Sequence, residues 1–371
     1  MSYFIGSNIY RSSTYGAWHP LRIPRVSTVM DLSRALGWLT NKQYITSPRA
    51  KPAALTQWHS SKYIEALQQA EAEQRVSQEV RQQFNIGTVS NPVFAEVFRR
   101  PATAAGGSIL AGELLASSGI VYNPAGGTHH GLPARANGFC YLNDPVLAML
   151  SLRRNGVKRI AYIDIDAHHP DGVEVGFAGD SHCLMISVHE ENLWPKTGGL
   201  QDDAGGIAFN LPVPRGFNDT EMAYVREELI LPKVASFQPE AIVLQCGADG
   251  VLDDPLSHLS LSNNAHWDIV RALLPLSSRF LVLGGGGYNP WTVGRLWTGV
   301  WGVLNGYEPP TDLPSAAQEI LRQVTFRKSR QGKNPKEKWW KTLKDNCENG
   351  PLRTEIRERI KVLQSRTHIG E

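Results

Sequence analysis

The stretch YIDIDAHHPDGVE, Tyr162 to Glu174, begins as a buried strand and then departs from one. Ile163, Ile165 and Ala167 alternate with Asp164, Asp166 and His168, and His169 and Asp171 follow. Successive side chains of a strand face opposite sides, so Asp164, Asp166 and His168 share one face. Burying an unpaired carboxylate costs several kcal/mol or forces it to neutralise. Two carboxylates and an imidazole on one strand face therefore require a compensating cation. Asp166 and His168 offer an oxygen and a nitrogen to one metal ion, and a catalytic zinc takes about three protein ligands with one position left open.

The flanking sequence supplies the frame. GIVYN (119–123), RIAYIDID (159–166), HCLMISVH (182–189), EAIVLQCG (240–247) and RFLVLGGGG (279–287) read as buried strands. Helical patterns run over 103–118, 144–156, 218–237 and 262–276, the third with Asn218 or Asp219 as its N-cap. Strands alternating with helices predict a single three-layer α/β domain, its mainly parallel sheet covered on both faces. Ligands of such sheets bind beyond the carboxyl ends of the strands. Each predicted strand ends in polar or glycine-rich sequence: YNPAGGTHH, DIDAHHPDG, ISVHEEN, QCGADG and LGGGGYN. The fold should gather these five stretches along one edge.

Asp249, in QCGADG, is the best third metal ligand; its competing role is to cap a local turn. The adjacent His129 and His130 follow a glycine turn at a strand end and suit general bases, with Asp164 and Asp171 fixing their tautomers. The glycines of LGGGGYN lack the lysine of a phosphate loop, and Asn289 stands where a dinucleotide fingerprint needs glycine. Close backbone packing that holds Tyr288 in the site explains them better. A tyrosine hydroxyl can donate to a developing oxyanion.

The 371 residues, 42% hydrophobic and 20% charged, describe a globular chain. No apolar run reaches membrane-spanning length, and MSYFIGSNIYRSS lacks the pattern of a secretory signal. Cys140, Cys183, Cys246 and Cys347 are scattered without a C-x-x-C pair, which suits a reducing, cytoplasmic setting. From Ala316 onward 14 Lys or Arg face 7 Asp or Glu, a net +7, against −4 for the rest. The expected division is 1–315 as the catalytic domain and 316–371 as a basic, helical, solvated extension. The stretch 325–341 is expected to mark a boundary or surface extension. Nucleic-acid binding by this tail is the less favoured reading, and no membrane partner is expected.

Taken together, NPAGGTHH with GFCYLND, DIDAHHPDGVE, QCGADG and GGGGYN, in that order, resemble the histone deacetylase, acetylpolyamine amidohydrolase and acetoin-utilisation-like superfamily over residues 15–305. The resemblance implies an arginase/deacetylase-like fold and zinc-dependent hydrolysis of an N-acyl amide, either acyl-lysine in proteins or peptides or a small acylated amine such as an acetylpolyamine. It implies one catalytic Zn2+ on Asp166, His168 and Asp249, with His130 as the main base and acid and His129 mainly electrostatic. Asp164 and Asp171 would be their partners and Tyr288 the carbonyl-polarising tyrosine. It further implies Gly138, Phe139 and Trp194 as tunnel walls and Arg25 as the arginine of a product channel. A structural K+ would lie on main-chain oxygens near Asp164, Asp166, His168, Ser187 and Val188. Hydroxamates should inhibit, and assembly as a homo-oligomer is open.

Two positions depart from the pattern. Pro170 replaces a glycine, which fixes φ and removes one amide donor without touching a ligand. Ser90 stands where many relatives grip the substrate backbone with an acid. Two other function classes are weaker. A non-catalytic binding module would not need every matched position, and an arginase-type dimetal site would need an Asp-x-Asp that GADGVLDDP lacks.

Overall fold

The computed structural model describes residues 2–326 and 330–370. Eight strands form one sheet: β1 Ser2–Gly6, β2 Tyr44–Thr46, β3 Gly119–Asn123, β4 Ile160–Asp164, β5 Cys183–Glu190, β6 Ala208–Val213, β7 Ala241–Gln245 and β8 Arg279–Leu283. Their order is β2-β1-β3-β8-β7-β4-β5-β6, and every pairing is parallel. The five strands expected from sequence are the five adjacent central ones, so their carboxyl ends do lie side by side.

The sheet is buried on both faces, which is why its strands read as nearly continuous apolar runs. Ala161, Ile163, Ile242, Leu244 and Val282 join one core. Ile160, Tyr162, Ala241, Val243, Leu281 and Leu283 join the other. Helices at 26–35, 263–273 and 290–304 cover the first face, and those at 99–114, 144–154 and 171–177 the second.

Three strands escaped the sequence reading. β1 is five residues at the chain start, β2 is three, and β6 carries Pro212. All lie toward the sheet margins, and β2 and β6 are its edges, where proline is tolerated because one side of the backbone needs no partner. The 218–237 helix begins at Asn218, whose side chain accepts from Thr220 and Glu221 N–H groups in a capping box. It passes through a π-turn at Arg226–Ile230 ahead of Pro232. Strand β4 stops at Asp164, two residues short of the expected end. There Asp164 Oδ1 accepts from Asp166 N and Asp166 Oδ1 from His168 N, both at 3.0 Å, so the carboxylates turn the backbone out of the ladder.

The C-terminal segment is not simply solvated. Ala317, Leu321, Trp339, Leu343, Ile356, Ile360 and Leu363 are buried in the first core. Arg327, Lys328 and Ser329, within the basic 325–341 stretch, lie outside the described residues.

Candidate active site

Beyond the ends of β4, β7 and β8, Asp166, His168 and Asp249 bring one ligand atom each within 4.8 Å of one another. His168 Nδ1 lies 2.9 Å from Asp249 Oδ2 and 3.3 Å from Asp166 Oδ1. Asp249 does not cap its own turn; its Oδ1 accepts from Ala167 N across the two loops at 3.0 Å. Both carboxylates are fully buried. Burial opposes the charge on His168, yet its bonds to Asp166 and Asp249 override this and raise it to about 10. A divalent cation held by these same atoms would compensate both carboxylates, and the two oxygens and one nitrogen suit zinc.

The glycines explain how two carboxylates fit here. A Cβ on Gly286 would lie 2.0 Å from Asp249 Oδ2, and one on Gly247 2.1 Å from Asp166 Oδ2. The Gly286 N–H donates to Asp166 Oδ2 at 2.6 Å. Any side chain in either place would displace a metal-ligand candidate.

The tandem histidines sit beside this cluster, each tied to its own carboxylate. His129 Nδ1 is 2.8 Å from Asp164 Oδ2, and His130 Nδ1 is 2.7 Å from Asp171 Oδ1. Their rings lie 4.0 Å apart and tilted. Their environments drive them in opposite directions. His129 pays desolvation but faces Asp164 and Asp166, and rises to about 9. His130 is held down to about 3 by burial and by the charge of its neighbour His129. Two groups with separated protonation states are what acid–base chemistry at neutral pH requires.

Tyr288 is nearly buried, and its hydroxyl is pushed well above the ordinary phenol range by burial and by Asp249 and Asp166. It therefore keeps its proton and can only donate or accept as a neutral group. Phe139 packs edge-on to it at 5.9 Å. Trp194 lies over Gly138, where an added Cβ would meet its ring at 2.2 Å, and edge-on to His130 at 4.6 Å. Phe139, Trp194, Tyr288 and Ser90 line one pocket opening onto His130 and His168. Ser90 is exposed at this mouth, and its carbonyl is 3.1 Å from His19 Nε2. Arg25 lines an inner cavity that shares His130, Phe139, His168 and Tyr288 with this pocket, and it donates to the Gly285 carbonyl at 2.6 Å. Ser187 is the ladder partner of Asp164.

Several contributors went unread in the sequence. Tyr162 donates to Asp164 Oδ2 at 2.6 Å, Asn137 to Asp171 Oδ2 at 3.0 Å, and the Tyr288 N–H to Asp254 Oδ2 at 2.7 Å. Asn143 donates to the carbonyls of His129 and Gly131 at 3.1 and 2.9 Å, and Asp144 accepts from the N–H groups of Gly127 and Thr128 at 3.1 and 2.7 Å. Both belong to GFCYLND, where an Asn-Asp-Pro helix start was the available signal.

This sheet and the loops at its carboxyl edge make up the arginase/deacetylase-like α/β fold. A histone deacetylase domain model matches residues 19–304. The chain is 34% identical to Histone deacetylase 9 of Arabidopsis thaliana over 323 residues, 85% of this chain and 75% of that protein. It is 31% identical to the acetoin utilization protein AcuC of Bacillus subtilis, covering 84% of each. The crystal structure of a histone deacetylase homologue from Aquifex aeolicus superposes with a TM-score of 0.91 at 34% identity, over 98% of this chain and 100% of that one. A histone deacetylase homologue complexed with SAHA superposes at 0.93, with the same identity and coverage. The chain belongs to the histone deacetylase family, a family of hydrolases.

Proposed function

We propose that this protein is a zinc-dependent amidohydrolase that removes acetyl or other acyl groups from acyl-lysine in proteins or peptides. The observation that carries the reading is the buried Asp166–His168–Asp249 cluster beside two carboxylate-tethered histidines with opposed protonation. A zinc ion held by these three residues supplies Lewis acidity toward the acyl carbonyl and activates water at neutral pH.

The other steps belong to the chain. Neutral His130 takes the proton from the attacking water and returns it to the departing amine, which cannot leave as an anion. Asp171 fixes its tautomer by accepting from Nδ1, which leaves Nε2 as the working atom. His129, protonated against Asp164, contributes a fixed positive charge. Tyr288 donates to the oxygen on which negative charge develops. Gly138, Phe139 and Trp194 hold the aliphatic stem of the substrate, and Arg25 lies where the acid leaves. The Asp164–Ser187 adjacency supports a structural potassium on the main chain around Asp164, Asp166, His168, Ser187 and Val188. The complex of a homologue with SAHA, a hydroxamate, supports hydroxamate inhibition here. We place catalysis in residues 1–315, with 316–371 as a structural buttress, and the unpaired thiols suit a cytoplasmic location.

Small acylated amines are the second reading. Ser90 offers a neutral acceptor at the mouth in place of a carboxylate, so the grip on a peptide backbone is weaker. Metal analysis should find one zinc per chain in wild type and strongly reduced zinc in Asp249→Ala. A panel of acetyl-lysine peptides, longer acyl-lysine peptides and acetylpolyamines then assigns the substrate. Full metal and full activity in Asp249→Ala would sink the assignment.

A further inference from the structure

Trp194 is held at the mouth by residues that the proposed reaction does not use. It sits on the turn that follows β5, where Asn192, Lys196 and Gly198 have φ of +60°, +66° and +75°. A lysine adopts this left-handed backbone rarely, and it persists only where the surroundings over-determine it. Those surroundings are His169 and His189, both buried, with rings 4.9 Å apart. His169 Nδ1 lies 2.9 Å from Thr197 Oγ1, and its Nε2 lies 3.2 Å from Glu174 Oε2. Asn210 donates to the same carboxylate oxygen at 2.8 Å. His189 Nε2 donates to the Gly198 carbonyl at 2.9 Å. Gly198 lies so close to the His169 ring that an added Cβ would meet its Cδ2 at 2.2 Å. The Lys196 N–H closes the turn onto the Leu193 carbonyl at 2.8 Å. From this turn the Trp194 ring stands edge-on to His130 at 4.6 Å.

We infer that His169 is a positioning residue: with His189 it latches Thr197 and Gly198, and the latched turn sets Trp194 against His130 and the stem of the acyl-lysine. The inference rests on the amidohydrolase reading for its substrate. His168 and His169 are consecutive, yet the first faces the metal cluster and the second the turn. One short backbone segment thus registers a wall of the mouth on the metal-ligand candidates. A stem threaded along a wall in register brings its amide to the cluster at a fixed depth.

The test compares Thr197→Val, Thr197→Ser and Gly198→Ala, each alone and combined with Trp194→Ala, in zinc-loaded protein with its zinc content measured. Thr197 is exposed, so removing its hydroxyl leaves the core intact. Thr197→Val should raise KM for an acetyl-lysine peptide about two- to tenfold, the worth of one hydrogen bond, with kcat nearly unchanged. Thr197→Ser keeps the hydroxyl and should match wild type. Gly198→Ala should raise KM further, because its Cβ drives the turn off His169. Both increases should disappear in the Trp194→Ala background, since the latch acts through that ring. Fluorine NMR of 5-fluorotryptophan-labelled protein, with the Trp194 signal assigned by its loss in Trp194→Phe, should show that signal shifted or split in Thr197→Val and Gly198→Ala. A Trp194 signal unmoved in both variants, or KM increases equally large without Trp194, would overturn the inference. Zinc lost from Thr197→Val would also overturn it, by assigning His169 to the metal site. A Trp194 signal that moves in a protein hydrolysing none of the amides would refute the reaction and leave the latch standing.

Discussion

At the scale of single residues, the decisive contrast is between His129 and His130. They are adjacent in sequence and both buried, yet one is held protonated and the other neutral. In the proposed reaction only a neutral imidazole can accept a proton, so His130→Ala should lower kcat on the order of 10²–10⁴-fold. His129→Ala should cost less, because it removes a charge and not the proton carrier. Tyr288→Phe should lower kcat by about 10²–10³ with little change in KM, since its hydroxyl acts on charge that develops in the transition state. Steady-state kinetics on zinc-loaded variants checks all three; a Tyr288→Phe defect confined to KM would make the tyrosine a binding residue. The candidate ligands and histidines were legible because ionisable groups at the ends of apolar strands demand an explanation. Tyr162, Asn137 and Asp254 were not. A tyrosine in a strand or an amide in a loop has many packing roles, and only the distance to a particular carboxylate reveals which one it has.

At the scale of elements, the loop carrying the histidines is clamped by the start of the 144–154 helix. Asp144 holds Gly127 and Thr128, Asn143 holds His129 and Gly131, and His59 holds Asn143 in turn. His59 Nδ1 is 3.0 Å from the Leu132 carbonyl, and its Nε2 accepts from Asn143 N at 3.0 Å. That acceptor exists only in the neutral ring, and burial holds His59 down to about 4 against an ordinary 6.5. A depressed pKa contributes stability that is complete above pH 6.5 and is lost as pH falls toward 4. The contribution is on the order of 3 kcal/mol. Wild type should therefore lose thermal stability between pH 6.5 and 4 more steeply than His59→Gln, whose amide does not titrate. Identical slopes in calorimetric melts would remove His59 from the account. Element boundaries were legible where period and caps agreed, as at Asn218 and Asp144. The marginal strands β1, β2 and β6 were not: β1 is five residues at the chain start, β2 has only three, and β6 carries Pro212 within its run.

At the scale of the whole molecule, the charge count suggested an appendage, and packing shows why composition misleads. Among the described residues of the C-terminal segment, Lys333, Lys336, Lys341, Lys344 and Lys361 are exposed, Arg353 and Arg359 pair with Glu221 and Glu191 of the body, and the apolar residues complete a core begun by the sheet. Trp339 is 1% exposed and stacks on Trp291 at 5.1 Å, and Asp345 pairs with the fully buried Arg295 at 2.8 Å. Trp291 and Arg295 lie on the helix that begins at Pro290, directly after Tyr288 and Asn289. Removing the segment would leave that helix with an exposed aromatic face and an unpaired buried guanidinium. Trp339→Ala should cost about 3–5 kcal/mol from lost burial and the cavity left behind. Truncation before Thr325 should abolish soluble expression. The matched motifs end at Asn289, and no residue after Ala316 lines the pocket or the inner cavity among those described. Turnover per folded, zinc-loaded site in Trp339→Ala should accordingly stay within a few fold of wild type while the melting temperature falls. An unchanged melting temperature with a kcat loss as large as that of Tyr288→Phe would mean that the segment sets the position of Tyr288 and does not merely support the core.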